Sequence, residues 1–341
     1  MTRALDTAAR EQHGALMTAP EPIQPPDFAE IEAARARIAD AAIRTPLIPL
    51  TGWGSGGGGL WLKLECLQPI GSFKIRGAAN AIALAPPANL EGGVYTASAG
   101  NMAQGVAFAA RRLGLACRVV VPDSAPKAKT EAIIRLGAEV VPVPYDEWWR
   151  VLVEHGHPDE SGFFIHPVSD RNVIAGNGTV GLEILEDLPE VQTVVVPYGG
   201  GGLSCGIAAA LRGRNSSVPV FAAEVDTAAP LATSLAEGEA VSIERTPSFV
   251  DGIGGSSVLP DMWPMARDLL AGSFVTSIDR ICDAIRTLTF EAHVIAEGAG
   301  ASSVAAAMEH VPDDRCVVAV VSGGNIDVDV LRRILAGDAP G

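Results

Sequence analysis

The chain carries four lysines, Lys63, Lys74, Lys127 and Lys129, so chemistry that needs a titratable amine has few candidates. Lys74 has a distinctive setting. It follows the turn Pro69-Ile70-Gly71-Ser72-Phe73 and opens a helix-patterned segment through Ile75-Arg76-Gly77. The positive end of a helix and partial burial both disfavour an ammonium there. An amine with a lowered pKa is the better nucleophile toward an aldehyde. Taken alone, Lys74 also fits an ordinary surface position at a helix start. Lys63 and the Lys127/Lys129 pair lack the turn-to-helix setting.

Three small-residue turns accompany this lysine. Ser98-Ala99-Gly100-Asn101-Met102 stands between a strand pattern and a helix pattern. Small side chains let backbone N–H groups converge at a helix N-terminus, which suits a carboxylate, and Asn101 adds an amide donor. Gly199-Gly200-Gly201-Gly202-Leu203 follows a valine-rich strand. Four glycines expose a nest of N–H donors suited to a phosphate. This is neither a Walker loop nor a dinucleotide fingerprint: no Gly-Lys-Ser/Thr follows, and the G-x-G-x-x-G spacing is not convincing. Val321-Ser322-Gly323-Gly324-Asn325 puts a hydroxyl at a strand end, where it can bond a ring nitrogen. Each turn alone also fits plain cap and turn chemistry. Together, an activated lysine, a phosphate cup, a carboxylate cradle and a ring-facing serine describe a site for pyridoxal 5'-phosphate.

The 341 residues allow one large or two modest domains with a real core. A composition of 48% hydrophobic and 19% charged residues suits a soluble globular protein rather than a disordered one. The net charge of −15 disfavours nucleic acid and anionic lipid as partners. The five cysteines are odd in number, widely spaced and without a C-x-x-C pair, as expected of reduced thiols in the cytoplasm. No apolar leader precedes residue 27, and no run is long enough to span a membrane. His155-x-His157 lacks a nearby third ligand, so no metal site is expected there.

These segments need elements to position them. Residues 1–27 are expected to form a flexible arm, and Asp27 to cap a helix over residues 28–42. Strand and helix patterns then alternate. Strands are predicted over 60–64, 93–96, 117–121, 139–143, 193–196, 218–223 and 316–321. Helices are predicted over 102–113, 126–136, 174–188, 203–211, 280–293 and 299–310. The stretch between residues 143 and 174 is less regular. Short valine-rich runs followed by helices predict an α/β protein with two mostly parallel sheets flanked by helices.

In Gly71-Ser72-Phe73-Lys74-Ile75-Arg76-Gly77-Ala78, Ala97-Ser98-Ala99-Gly100-Asn101, Ile174-Ala175-Gly176-Asn177-Gly178-Thr179, the tetraglycine turn, Asp251-Gly252-Ile253, Glu297 with Gly300-Ala301, and Ser322-Gly323-Gly324-Asn325, the sequence resembles the fold-type II pyridoxal-phosphate enzymes. The likeness is greatest to threonine/serine dehydratases and the related serine racemases, and it covers roughly residues 40–335. It implies the tryptophan-synthase-β-like fold, with a large cofactor domain from 28–87 and 169–341 and a small domain from 88–168. It implies Lys74 as the Schiff-base lysine and the base for the α-proton. Phe73 would lie by the ring, Asn101 would bond the ring hydroxyl, Gly199 to Leu203 would hold the phosphate, and Ser322 would face the ring nitrogen. Residues 98–102 would take the substrate carboxylate. The implied reaction converts L-threonine or L-serine to a 2-oxo acid and ammonia; the alternative is a racemase or β-replacement enzyme. The implied assembly is a homodimer or homotetramer.

The chain departs from the family at several positions. Met102 replaces the usual histidine and is expected to reshape the pocket beside the substrate. Ala99 replaces the serine of racemase-like members and has no proton to give. Glu224 and Ala228 match two positions of the divalent-metal site of those members, but Pro230 stands where a second acid is needed. The chain ends 16 residues after Asn325, so a C-terminal regulatory domain is not expected.

Overall fold

In the computed structural model the described residues are 21–340; of the arm expected over residues 1–27, all but 21–27 lies outside them. The first helix, α1 (Phe28–Arg37), starts on a capping box. The Asp27 carboxylate accepts from Glu30 N–H at 2.9 Å, and Glu30 accepts from Asp27 N–H at 2.7 Å. It stops at Arg37 and continues as turns, short of the expected residue 42.

The larger sheet is built from β1 (Leu47–Pro49), β2 (Gly59–Lys63), β7 (Thr193–Pro197), β8 (Val220–Val225), β9 (Gly272–Thr276) and β10 (Cys316–Val320), in the order β1-β2-β10-β7-β8-β9. Only the β1–β2 pairing is antiparallel. Side chains alternate across a strand. Val195, Val317 and Ala319 therefore pack with Ile285, Leu288 and Val304, on α10 (Ile278–Phe290) and α11 (Gly298–His310). Val194, Val196, Val318 and Val320 pack on the other face with Ile184 and Ile207, on α6 (Arg171–Asp187) and α7 (Ser204–Gly213). Burial on both faces explains why these strands read as unbroken apolar runs.

The second sheet is wholly parallel and has the order β5-β4-β3-β6, from β3 (Val94–Ala97), β4 (Cys117–Pro122), β5 (Glu139–Val143) and β6 (Phe163–Phe164). Val94, Val119 and Val121 pack with Met102, Val106 and Ala110 of α3 (Asn101–Leu113). Tyr95, Val120 and Val143 pack on the opposite face with Val151 and Trp148 of α5 (Tyr145–Val153). That helix occupies part of the stretch expected to be irregular.

Helix α2 (Lys74–Leu84) is wedged between α3 and α6. A Cβ at Gly176 of α6 would sit 2.4 Å from the Arg76 carbonyl oxygen, so this crossing demands glycine. A buried ionic cluster fixes α2 from its other side. The Arg76 guanidinium bonds Glu65 at 2.8 Å and Glu183 at 2.6 Å, and Lys63 Nζ bonds Glu183 at 2.6 Å. Two cations and two carboxylates close the cluster, and all four side chains are buried. Removing one partner from such a set costs more than the set contributes.

Candidate active site

Three turns expected to bind a ligand lie just beyond the carboxyl ends of β3, β7 and β10, where open parallel sheets bind ligands. Lys74 is the first residue of α2. Its Nζ donates to the Pro167 carbonyl oxygen at 2.9 Å and lies 5.2 Å from the Phe73 ring centre. Burial pushes the amine down to about 8, against a smaller upward pull from the Glu297 carboxylate. The side chain nevertheless stays partly accessible. The other lysines are paired with acids: Lys63 with Glu183, Lys127 with Glu131 and Lys129 with Asp251.

The loop that orients Lys74 also touches the tetraglycine turn. A Cβ at Gly200 would lie 2.5 Å from Cγ1 of Val168, the residue after Pro167. Gly201 has φ +92°, in the left-handed region. Among the described residues, the backbone N–H groups from Gly199 to Leu203 have no protein acceptor, and α7 has no side-chain cap. Five free donors at a helix N-terminus make an anion cradle.

Ser98, Ala99 and Gly100 precede α3. The Ser98 hydroxyl accepts from the Gly100 N–H at 3.2 Å and is turned into its own loop. Ala99 is partly exposed. The Met102 side chain is 2% exposed and belongs to the core against β3 and β4. The expectation that it reshapes the substrate pocket is therefore corrected. Met102 opens the apolar stripe Met102, Val106, Ala110 of α3, and a stripe at that spacing faces the core.

Asn101 is the first residue of α3. Its Nδ2 donates to Glu297 Oε1 at 2.7 Å. Ser322 is buried after β10, and its carbonyl oxygen accepts from the Phe73 N–H at 3.0 Å. Phe73 packs against the core of the larger sheet. Sequence reasoning named Glu297 only as part of a motif and missed Pro167 and Val168. The contact partners lie 93 and 196 positions apart, so no local pattern joins them.

Glu224 accepts from the N–H groups of Leu231 and Ala232, both at 2.8 Å, and from Ser273 Oγ at 2.6 Å. It thus closes the first turn of α8 (Pro230–Glu237). His155 faces Asp261 at 3.5 Å and His157 faces Glu147 at 3.1 Å. Among the described residues, no group of three or more His, Cys, Asp or Glu side chains could hold a metal ion.

Two parallel-rich sheets flanked by helices, with a depressed lysine amine beside a glycine anion cradle, define the fold-type II architecture of cofactor-dependent enzymes of amino-acid chemistry. Comparison with known proteins agrees. The signature of the family described as pyridoxal-phosphate dependent enzyme matches residues 38–323, and the chain belongs to that family. It is 40% identical over 286 residues to an L-threonine ammonia-lyase of Thermotoga maritima, covering 82% of this chain and 70% of the relative. It is 35% identical over 319 residues to a serine racemase of Oryza sativa subsp. indica, covering 91% and 94%. The structure of the processed form of threonine deaminase isoform 2 from Solanum lycopersicum superposes with a TM-score of 0.82 at 31% identity, covering 93% of this chain and 96% of that one.

The residues present fit pyridoxal phosphate. The cradle from Gly199 to Leu203 matches a phosphate in charge and donor count. The buried Ser72 Oγ and Asn177 Oδ1, beside the Lys74 turn and the glycine loop, have no hydrogen-bond partner among the described residues.

Proposed function

We propose that the protein is a pyridoxal-phosphate-dependent ammonia-lyase that converts a β-hydroxy amino acid, L-threonine or L-serine, to a 2-oxo acid and ammonia. The observation that carries this reading is Lys74. Among the described residues it is the one lysine amine without a carboxylate partner, its affinity for a proton is lowered, and it sits beside the anion cradle. Bound pyridoxal phosphate supplies an electron sink that acidifies the α-hydrogen of an attached amino acid.

The chain's own residues do the rest. When the cofactor is bound, the N–H groups from Gly199 to Leu203 would hold its phosphate, Asn101 would bond its ring oxygen, Ser322 would face its ring nitrogen, and Phe73 would lie by the ring. The loop from Ser98 to Met102 holds the substrate carboxylate through backbone N–H groups. Lys74 Nζ first holds the cofactor and then takes the α-proton as general base. Loss of the β-hydroxyl as water leaves an enamine that hydrolyses to the 2-oxo acid and ammonia. Ser322 is neutral and would not hold a proton on the ring nitrogen as a carboxylate would, which suits prompt loss of a β-substituent.

A second reading, an amino-acid racemase, draws on the 35% identity to the rice enzyme. Ala99 opposes it, because a racemase must deliver a proton to the face opposite Lys74. The neighbouring Ser98 hydroxyl is engaged with Gly100. We further assign residues 28–87 with 169–341 to the cofactor domain and 88–168 to the small domain, a homodimer or homotetramer as the assembly, and the cytoplasm as its location. No helix among the described residues is long and apolar enough to cross a membrane. The test is incubation with L-threonine and L-serine, with 2-oxo acid, ammonia and D-amino acid measured together. Equal amounts of 2-oxo acid and ammonia are expected; D-amino acid as the main product would overturn the assignment.

A further inference from the structure

Asn101, Glu297 and Asn325 form a relay whose orientation is forced from one end. Asn325 Nδ2 donates to the Ile70 carbonyl oxygen at 2.9 Å and to Asn101 Oδ1 at 2.8 Å. A carbonyl only accepts, so the Asn325 amide nitrogen must face Ile70. That places its second N–H toward Asn101, which must answer with its oxygen. The Asn101 nitrogen is then turned to Glu297 Oε1 at 2.7 Å. The loop of Asn325 is itself pinned, because the Gly324 N–H donates to the Gly71 carbonyl oxygen at 2.9 Å.

We propose that Glu297 and Asn325 are positioning residues that lock the Asn101 carboxamide so that its remaining N–H faces the cofactor's ring oxygen. An asparagine amide has two N–H groups and one carbonyl oxygen. The relay uses the oxygen and one N–H, leaving one donor for the site. An unrestrained amide would present its oxygen part of the time, and two acceptors would then oppose each other. The relay also crosses between the two sheets: Asn101 heads the helix on the smaller one, whereas Glu297 stands just before α11 and Asn325 follows β10 of the larger. Burial first, with Asp251 adding to it, pushes the Glu297 carboxyl up to about 7, and the Asn101 N–H opposes this. In either protonation state one oxygen can accept from Asn101, so a neutral amide can replace the carboxyl.

The inference rests on the proposed contact between Asn101 and the ring oxygen. The experiment therefore compares Asn101→Ala, Asn325→Asp, Glu297→Ala and Glu297→Gln as purified holoenzymes. It reads the dissociation constant of pyridoxal phosphate and the pH midpoint of the bound cofactor's visible absorption band. Asn325→Asp keeps size and shape but cannot donate to Ile70 or Asn101. It and Glu297→Ala are expected to weaken cofactor binding by about tenfold and to move the midpoint, as for a lost and misdirected hydrogen bond. Glu297→Gln is expected within about twofold of wild type, because its carbonyl oxygen still accepts. If Asn101→Ala alters both readouts while Asn325→Asp and Glu297→Ala leave them unchanged, the relay is wrong. Damage from Glu297→Gln equal to that from Glu297→Ala would also overturn it, because charge rather than acceptor geometry would then matter. If Asn101→Ala itself changes nothing, the ring contact of Asn101 fails first and the relay loses its purpose.

Discussion

The Lys74 amine donates to the Pro167 carbonyl oxygen at 2.9 Å, and Val168, the next residue, fills the space a side chain at Gly200 would take. One short loop therefore aims the amine and shapes the anion cradle together. The neutral amine is the reactive form toward the cofactor aldehyde. Burial lowers Lys74 from 10.5 to about 8, so the neutral fraction grows as pH rises through 8. Cofactor uptake by the apo-protein is expected to accelerate roughly tenfold between pH 7 and pH 9 and then level off. Stopped-flow absorbance checks this. A rate still climbing steeply above pH 10 would mean an unperturbed amine.

Gly200→Ala forces a Cβ to 2.5 and 2.6 Å from the two methyl carbons of Val168. Valine is stiff at χ1 and cannot swing aside cheaply, so the glycine loop must shift. Cofactor affinity is expected to fall by about tenfold, the size of one or two weakened hydrogen bonds. The double variant Gly200→Ala with Val168→Ala is expected to recover part of it. Equilibrium dialysis of the three proteins decides: no recovery would mean that Val168 does not set the loop.

Arg76 stands two residues after Lys74 and neutralises Glu65 and Glu183 in the interior. Arg76→Met leaves two carboxylates sharing only Lys63. Breaking a buried cluster in this way costs about 3–5 kcal/mol, so the melting temperature is expected to drop by several degrees, with cofactor loss at lower denaturant. An unchanged thermal midpoint would contradict the cluster's role.

Much of the site was legible because its chemistry lies in contiguous stretches. Lys74 with its turn, the four glycines and Ser98–Met102 each combine a ligand-binding residue type with punctuation before a helix; the glycines and Ser98–Met102 follow the carboxyl ends of β7 and β3, and Lys74 opens α2. Contacts between distant segments were not legible. Glu297 reads locally as a residue before a small-residue helix, and Lys63 and Glu183 read as ordinary charges. Their meaning exists only once β2, α2 and α6 meet. Met102 was misread because its place in a ligand loop outweighed its spacing with Val106 and Ala110. Among elements, β6 is two residues long, too short to show any period. Helix α8 carries Pro230 at its first position, a start signal that went unused.

On the proposed reading residue 99 lies opposite Lys74 across the α-carbon, and Ala99 offers only a methyl group where a racemase needs a proton donor. With L-serine the wild type is expected to give pyruvate and almost no D-serine. Ala99→Ser is expected to introduce measurable D-serine while pyruvate formation continues, read by chiral chromatography. Absence of D-serine from the variant would mean that residue 99 does not face the α-carbon.

The central claim is that Lys74 carries the cofactor. Reducing the holoenzyme with borohydride fixes any covalent link between a lysine amine and pyridoxal phosphate, and peptide mass mapping locates it. The expected result is one adduct per chain, on the peptide containing Lys74, lost in Lys74→Ala. An adduct on Lys63, Lys127 or Lys129, or none at all, would contradict the account.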